Sequence, residues 1–156
     1  MPKFSHDELL KFGAELLLAA GLPRDDSRLV AKLLLKGELD GYPGHGISRI
    51  PSYVSRIKQG VIRLDRPKVI REGKSTAVID GNFAIGQIVA QEGMNLAIEK
   101  AREHGVGIVC LRRAGHVGRL ADYVELAAKA GMAGMAAVSV GSGNIASYGG
   151  MEPVSG

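Results

Sequence analysis

Hydrophobic positions in the first part of the chain recur with the period of a helix. Leu9, Phe12 and Leu16 lie three or four residues apart and form one apolar stripe on a helix that reaches about Ala20. The segment Ser5-His6-Asp7-Glu8 is a capping box, because the serine hydroxyl and the glutamate carboxylate can satisfy two free amides of the first turn. The pattern therefore predicts a helix that begins directly after Ser5.

The next two helices follow from the same reasoning. An apolar face from Leu29 to Leu34 predicts a second helix that begins near Asp25 and reaches about Glu38. The glycine- and proline-rich segment 40–46 is a predicted loop, and the pattern over 47–59 predicts a third helix. The first 66 residues are therefore predicted to be helical.

After Pro67 the pattern changes to short β-rich runs separated by turn residues and longer helical periods. The predicted strands are Val69–Arg71, Thr76–Ile79, Val106–Leu111 and Met135–Val140, and the predicted helices are Ile85–Glu103 and Leu120–Lys129. Helices and strands alternate, which is typical of an α/β arrangement. The chain is predicted to be mixed α/β, with a helical part at 1–66 and an α/β part at 67–156.

Composition and charge exclude several classes of protein. Apolar residues make up 46% of the 156 positions and charged residues 23%, which excludes wholesale disorder and a fibrous repeat. The net charge is +4, but the densest basic stretch, at 56–74, is interrupted by acidic residues and contains no aromatic residue for base stacking. Nucleic-acid binding is therefore disfavoured.

The single cysteine, Cys110, cannot form an internal disulfide, and no apolar leader pattern stands near the start. We therefore expect a reduced, cytoplasmic protein in which Cys110 is buried among apolar neighbours. Segment 130–151 carries no charge, but its glycines and hydroxyl and amide side chains argue against a membrane helix. Because the chain stops just after this segment, we expect it to be part of a longer fold.

One glycine pattern invites a nucleotide-binding interpretation. Gly141–Ala146 follows a predicted strand and matches G-x-G-x-x-A, the pyrophosphate-binding pattern of a Rossmann unit. That pattern requires a helix to begin there, and Ser147–Pro153 is a poor helix start. A glycine-rich turn is the preferred interpretation.

His45 and Arg49, four residues apart, form the most specific constellation. On one helical face they would combine a titratable imidazole with a fixed cation, which suits an acidic substrate. Tyr53, four residues further on, extends that face. The alternative is a histidine at a helix end, a surface arginine and a packing tyrosine.

His116 lies between a predicted strand and a predicted helix, where backbone amides and Arg119 could meet an anion. The alternative is a histidine with a purely structural role in a loop. No cysteine or histidine pair has the spacing of metal ligands, and no Ser-His-Asp set is indicated.

Several ordered segments resemble one family. Asp40–Pro51 resembles a family segment that contains an S-H-G-x-x-R motif, and the other matching segments are Asp80–Gly86, Gly105–Gly118 and Tyr148–Pro153. Together they resemble the malate/L-lactate dehydrogenase family, which also contains sulfolactate and ureidoglycolate dehydrogenases and cyclic-imine reductases. The resemblance spans nearly the whole chain.

The resemblance implies interconversion of a 2-oxo acid and a 2-hydroxy acid with NAD or NADP, by homodimers with a non-Rossmann fold. It implies that His45 donates a proton to the carbonyl oxygen, that Arg49 binds the substrate carboxylate and that Tyr53 neighbours them. His116 is either a second acid/base residue or a cofactor contact. The stretch expected to lie along the nucleotide is His116, Val117, Gly118, Arg119 and Leu120.

Two departures from the family pattern accompany this resemblance. Gly44 stands where many members have a serine that hydrogen-bonds the histidine. Members are also about twice as long, so 1–66 is interpreted as a substrate and dimerisation region and 67–156 as the first part of a cofactor-binding domain. The alternative function is a truncated, non-catalytic chain that acts as a dimerisation or ligand-binding module.

Overall fold

The computed structural model describes residues 3–139, 145–146 and 153–155. It begins with a pair of helices, α1 (His6–Ala19) and α2 (Arg24–Leu39). The predicted capping box is confirmed, because the Ser5 hydroxyl accepts a hydrogen bond from the amide of Glu8 and the Glu8 carboxylate accepts one from the amide of Ser5. Gly21 takes a φ of +103° in the turn between the helices, a value that favours glycine.

The third helix starts later than predicted. Residues 43–45 and 47–49 form two 3₁₀ turns, and α3 covers only Ile50–Lys58. Pro51 explains the difference, because proline has no amide hydrogen for the carbonyl of Ile47 and its ring crowds that carbonyl. The loop and turns that carry His45 and Arg49 therefore precede the α-helix.

The second part of the chain forms a three-stranded mixed sheet. The strands β1 (Lys68–Glu72), β2 (Thr76–Asp80) and β3 (Ile108–Arg112) lie in the order β1-β2-β3. β1 pairs with β2 in antiparallel register, and β2 pairs with β3 in parallel register. The long helix α4 (Gly86–His104) connects the parallel strands.

A fifth helix and a small strand pair follow, namely α5 (Ala121–Lys129), β4 (Ile145–Ala146) and β5 (Pro153–Ser155). β4 and β5 pair in antiparallel fashion. The predicted mixed α/β class is thus confirmed. None of the helices in the described ranges is long and apolar enough to cross a membrane.

Two sequence predictions are wrong. Residues 135–139 of the predicted last strand form no strand, because their backbone groups find no ladder partner among the described residues, and Met135 is 89% exposed. Cys110 is exposed, not buried. Its neighbour Val109 packs toward α4, so the strand alternation turns Cys110 to the opposite, open face of the sheet.

One apolar core joins the helical part to the start of α4. It includes Leu17 and Leu34 of the first two helices together with Ile85 and Ile88. The predicted boundary at 66/67 falls between α3 and β1, and this core contains residues from both sides of it. The core therefore fixes the beginning of α4 against the first three helices.

Backbone hydrogen bonds then attach the loop after β3 to the start of α4. The amide of Phe83 donates to the carbonyl of Arg113 at 2.7 Å, and the amide of Gly115 donates to the carbonyl of Ala84 at 2.9 Å. A Cβ on Gly86 would lie 2.2 Å from the Gly115 oxygen, so only glycine permits this approach. His116 is thereby held beside the first turn of α4.

Candidate active site

The imidazole rings of His45 and His116 meet directly, although 71 residues separate them in the sequence. Nδ1 of His45 lies 3.0 Å from Nε2 of His116, and the ring planes differ by only 8°. The ring centroids are 5.1 Å apart, so the rings meet edge to edge in nearly one plane. This arrangement suits an N–H···N hydrogen bond.

Two buried polar side chains lie on the inner side of His116, and only the first contacts its ring. The hydroxyl of Tyr53, on α3, lies 2.7 Å from Nδ1 of His116. The amide of Gln87, in the first turn of α4, lies within hydrogen-bond distance of the same hydroxyl, with Nε2 at 3.0 Å and Oε1 at 3.2 Å. Gln87, Tyr53, His116 and His45 thus form one continuous hydrogen-bonded chain, called the histidine cluster below.

The environment of this cluster favours neutral groups. Burial, together with the smaller effects of Arg49, His45 and Arg56, lowers the pKa of His116 from 6.5 to about 4. Burial also raises the pKa of Tyr53 above its ordinary value. At neutral pH His116 is therefore uncharged, and Tyr53 retains its proton.

Arg49 lies beside the cluster, but not on one α-helical face with His45 as predicted. The two residues end successive 3₁₀ turns. Nε of Arg49 donates to the carbonyl of Gly44 at 2.7 Å. Its two terminal nitrogens have no hydrogen-bond partner among the described residues, so they could bind a carboxylate in a two-pronged fashion.

Arg119 has a different environment from the one predicted. Its guanidinium pairs with Asp40 at 2.6 Å and with Asp122 at 2.8 Å, and it lies over the ring of Tyr42. Its side chain is only 8% exposed. Lys36 joins the group by contacting Asp40, Asp122 and Glu125, each at 3.0 Å. Arg119, Lys36 and these three carboxylates are called the ion-pair cluster below.

The other residues of the predicted cofactor stretch lie between the two clusters. The carbonyl of Val117 accepts a hydrogen bond from the Tyr123 hydroxyl, and Gly118, with φ at +73°, packs against the side chain of Gln87. Leu120 stands at the N-terminus of α5. A cavity of about 990 Å³ between α4, β3, α5 and residues 132–139 reaches Val117 and Leu120, but none of its lining residues belongs to the histidine cluster.

Sequence reasoning missed two features. Gln87 carries no charge or titratable group and gave no signal. The acidic partners of Arg119 are Asp122, on the helix that follows it, and Asp40, at the distant C-terminal end of α2. Most of the glycine pattern at 141–146 lies outside the described residues, but Ile145–Ala146 is a strand, where a Rossmann site requires a helix start. The described ranges contain no cluster of three or more potential metal ligands.

Comparison with known proteins agrees with the fold and with the motifs. The model of the malate/L-lactate dehydrogenase family matches residues 4–156. A malate dehydrogenase of Pyrococcus abyssi is 43% identical over 83% of this chain and 36% of its own length. An L-sulfolactate dehydrogenase of Methanothermobacter thermautotrophicus is 38% identical over 99% of this chain and 45% of its own length.

Solved structures give the same result. The structure of malate dehydrogenase from Pyrococcus horikoshii superposes with a TM-score of 0.81 at 38% identity, over 83% of this chain and 38% of that one. A Δ1-piperideine-2-carboxylate reductase from Pseudomonas syringae superposes with a TM-score of 0.74 at 26% identity, over 83% of this chain and 39% of that one. The chain belongs to the malate/L-lactate dehydrogenase family, and it spans less than half the length of these relatives.

Proposed function

We propose that this chain carries the proton-transfer and carboxylate-binding part of a nicotinamide-dependent dehydrogenase that interconverts 2-oxo acids and 2-hydroxy acids. The observation that carries the proposal is the His45–His116 hydrogen bond beside Arg49, whose terminal nitrogens are unoccupied by any described residue. The family membership supports the same reaction class. Malate and sulfolactate, named for two relatives, are both 2-hydroxy acids with a second acidic group.

His45 is the proposed proton donor to the substrate carbonyl oxygen. Nε2 of His116 holds the His45 ring by its Nδ1, so Nε2 of His45 is left for the substrate. A positioned histidine is a common acid or base in such steps, because small environmental changes move its proton affinity across neutral pH. His116, which is neutral and hydrogen-bonded on its inner side to Tyr53, acts as the orienting partner of that ring.

Arg49 is the proposed carboxylate anchor, with Tyr53 as the inner neighbour of the pocket. The bond from Nε to the Gly44 carbonyl fixes the guanidinium plane, so its two terminal nitrogens face a substrate in a set orientation. Such anchoring places the carbonyl carbon and oxygen for reaction. The nearby positive charge of Arg56 strengthens the attraction for an anionic substrate.

The proposed cofactor is NAD or NADP, which would supply or accept the hydride. His116, Val117, Gly118 and Leu120 fit a surface along it, because the stretch combines an imidazole, apolar side chains and a position without a Cβ. Arg119 does not fit a phosphate contact, since two carboxylates already neutralise its guanidinium. Its proposed part in cofactor binding is to hold this stretch in place.

The test is turnover of a panel of 2-oxo acids with NADH and NADPH, followed by nicotinamide absorbance, with oxaloacetate, pyruvate and sulfopyruvate among the substrates. His45→Asn is expected to lower kcat by about 100-fold, as removal of a general acid does. Arg49→Lys, which loses the two-pronged geometry, is expected mainly to raise KM. His6→Asn, a change on the exposed end of α1, is the matched control and leaves turnover unchanged.

Normal turnover by His45→Asn with every substrate would contradict the proposal. Isothermal titration with NADH and NADPH distinguishes the proposed dehydrogenase from the alternative, a non-catalytic binding module. Nucleotide binding without turnover of any 2-oxo acid would favour a non-catalytic ligand-binding module. The homodimer and the cytoplasmic location implied at the sequence level stay predictions, and light scattering of the purified chain tests the first.

A further inference from the structure

Gln87 is a buried amide directed at one hydroxyl group. Its side chain is 1% exposed, and the described residues offer its amide atoms no hydrogen-bond partner except Tyr53. Nothing in the proposed chemistry requires an amide at this place, since it touches neither His45 nor Arg49. Its only route to the reacting groups is through the hydroxyl of Tyr53 and the ring of His116.

The Tyr53 hydroxyl has a single proton and two possible acceptors. Nδ1 of His116 lies 2.7 Å away, whereas Oε1 of Gln87 lies 3.2 Å away. Hydroxyl donors usually stand about 2.5 to 3.0 Å from their acceptors, and amide donors about 2.7 to 3.2 Å. The distances therefore favour a hydroxyl that donates to His116 and accepts from Nε2 of Gln87, which lies at 3.0 Å.

This direction decides where the proton of His116 resides. A neutral imidazole has one donor and one acceptor nitrogen. If Nδ1 accepts from Tyr53, the proton is on Nε2, which faces Nδ1 of His45 at 3.0 Å. His45 then accepts at Nδ1, so its own proton stands on Nε2, the nitrogen that has no partner in the histidine cluster.

We propose that Gln87 is a positioning residue: by donating its amide hydrogen to the Tyr53 oxygen, it turns the hydroxyl proton toward His116 and keeps the proton of His116 on Nε2. All hydrogen bonds of the cluster then point outward, from Gln87 to His45. The consequence for catalysis, that Nε2–H of His45 is presented as a hydrogen-bond donor to a carbonyl oxygen, rests on the proposed function. The tautomer itself does not.

The experiment is a two-bond ¹H–¹⁵N correlation spectrum of the ¹⁵N-labelled chain at mildly alkaline pH, where histidines are neutral. The spectrum distinguishes a protonated from an unprotonated ring nitrogen, and His116→Asn assigns the signals by their loss. The expected result is His116 with the proton on Nε2. A proton on Nδ1 of His116 in the unmodified chain would overturn the proposal without any further variant.

Gln87→Glu tests the cause. A carboxylate only accepts hydrogen bonds, so the Tyr53 hydroxyl must donate to it and His116 must donate from Nδ1. The expected result is a change of the major tautomer to Nδ1–H. Gln87→Met, which has similar length but neither donor nor acceptor, removes the bond that orients the hydroxyl and is expected to lower the share of the Nε2–H tautomer without making Nδ1–H the major form.

Tyr53→Phe provides the matched background, because without the hydroxyl the change at position 87 cannot reach His116. Gln87→Glu is therefore expected to leave the tautomer unaltered in the Tyr53→Phe chain. An unchanged His116 spectrum in folded Gln87→Glu, throughout the neutral to alkaline range, would overturn the proposal. Because these spectra need neither substrate nor cofactor, a failed turnover assay would refute the proposed function and leave this result standing.

Discussion

Two polar clusters flank the same short stretch of chain and behave differently. His116 belongs to the histidine cluster, and Arg119, only three residues later, belongs to the ion-pair cluster. The first consists of two imidazoles, a phenol and an amide joined by hydrogen bonds. The second consists of two cations and three carboxylates.

The difference in charge leads to a difference in what each cluster can do. A buried pair of opposite charges is costly to separate, so the ion-pair cluster holds α5 and the stretch before it against α2. The neutral groups of the histidine cluster can exchange the donor and acceptor roles of their hydrogen bonds, because each imidazole has two tautomers and the hydroxyl can rotate. The fixed charges therefore act as an anchor, and the neutral chain is the part suited to proton transfer.

The largest expected effect tests the anchor. Asp122 is 4% exposed and contacts both Arg119 and Lys36. Asp122→Ala leaves two cations without this partner, and we expect a loss of about 3 kcal/mol of unfolding free energy, the lower end for a broken buried pair because Asp40 remains. Urea denaturation of both chains measures it.

The control for this change lies in the same cluster. Glu125 contacts Lys36 from an exposed position, so Glu125→Gln is expected to cost less than about 1 kcal/mol. Equal losses in the two variants would show that burial of Asp122 does not matter. The anchor would then be an ordinary surface network.

The sequence predicted more of the histidine cluster than of the ion-pair cluster. The spacing of His45, Arg49 and Tyr53 identified three residues that do lie together, because close sequence neighbours stay close in any local structure. Arg119 was assigned to an anion because its partner Asp40 stands 79 positions away and only the tertiary fold brings them together. Gln87 gave no signal for the same reason, since an amide acquires a role only from the groups packed against it.

The second prediction is that the two clusters lose their contributions to folding stability in different pH ranges. The pKa of His116 is lowered from 6.5 to about 4, so as pH falls below 6.5 the unfolded chain binds a proton that the folded chain does not. Stability is therefore lost from about pH 6.5 down to about pH 4 and then levels off. After allowance for partial exposure, we expect about 1 to 2 kcal/mol.

The ion-pair cluster has a different pH window. Its cations lower the pKa of Asp40 below 3.8 and also lower that of Glu125, so the contribution of these carboxylates is lost only in more acidic solution. Denaturation midpoints of the unmodified chain and of His116→Asn, measured across this range, test the assignment. The stability of the unmodified chain relative to His116→Asn must fall as the pH drops from 6.5 to 4, and a constant difference would refute the assignment.

The smallest expected effect concerns the glycines beside the two clusters. A Cβ on Gly44 would meet nothing within 4 Å, whereas a Cβ on Gly37, next to Lys36, would lie 2.7 Å from the carbonyl oxygen of His45. Gly44→Ser is therefore expected to change the unfolding free energy by less than about 0.5 kcal/mol. Gly37→Ser, the matched control, must displace the His45 loop and is expected to cost about 1 to 3 kcal/mol.

The same two variants test whether position 44 of this chain can accept the serine of the family pattern. Because many members have a serine at the position of Gly44, room for a hydroxyl there means that this chain can accept that residue without repacking. A large loss of stability in Gly44→Ser would show that the His45 loop is closed on both sides. A small loss, with the His45–His116 bond retained in the histidine spectrum, would show that position 44 accepts a serine without disturbing the histidine cluster.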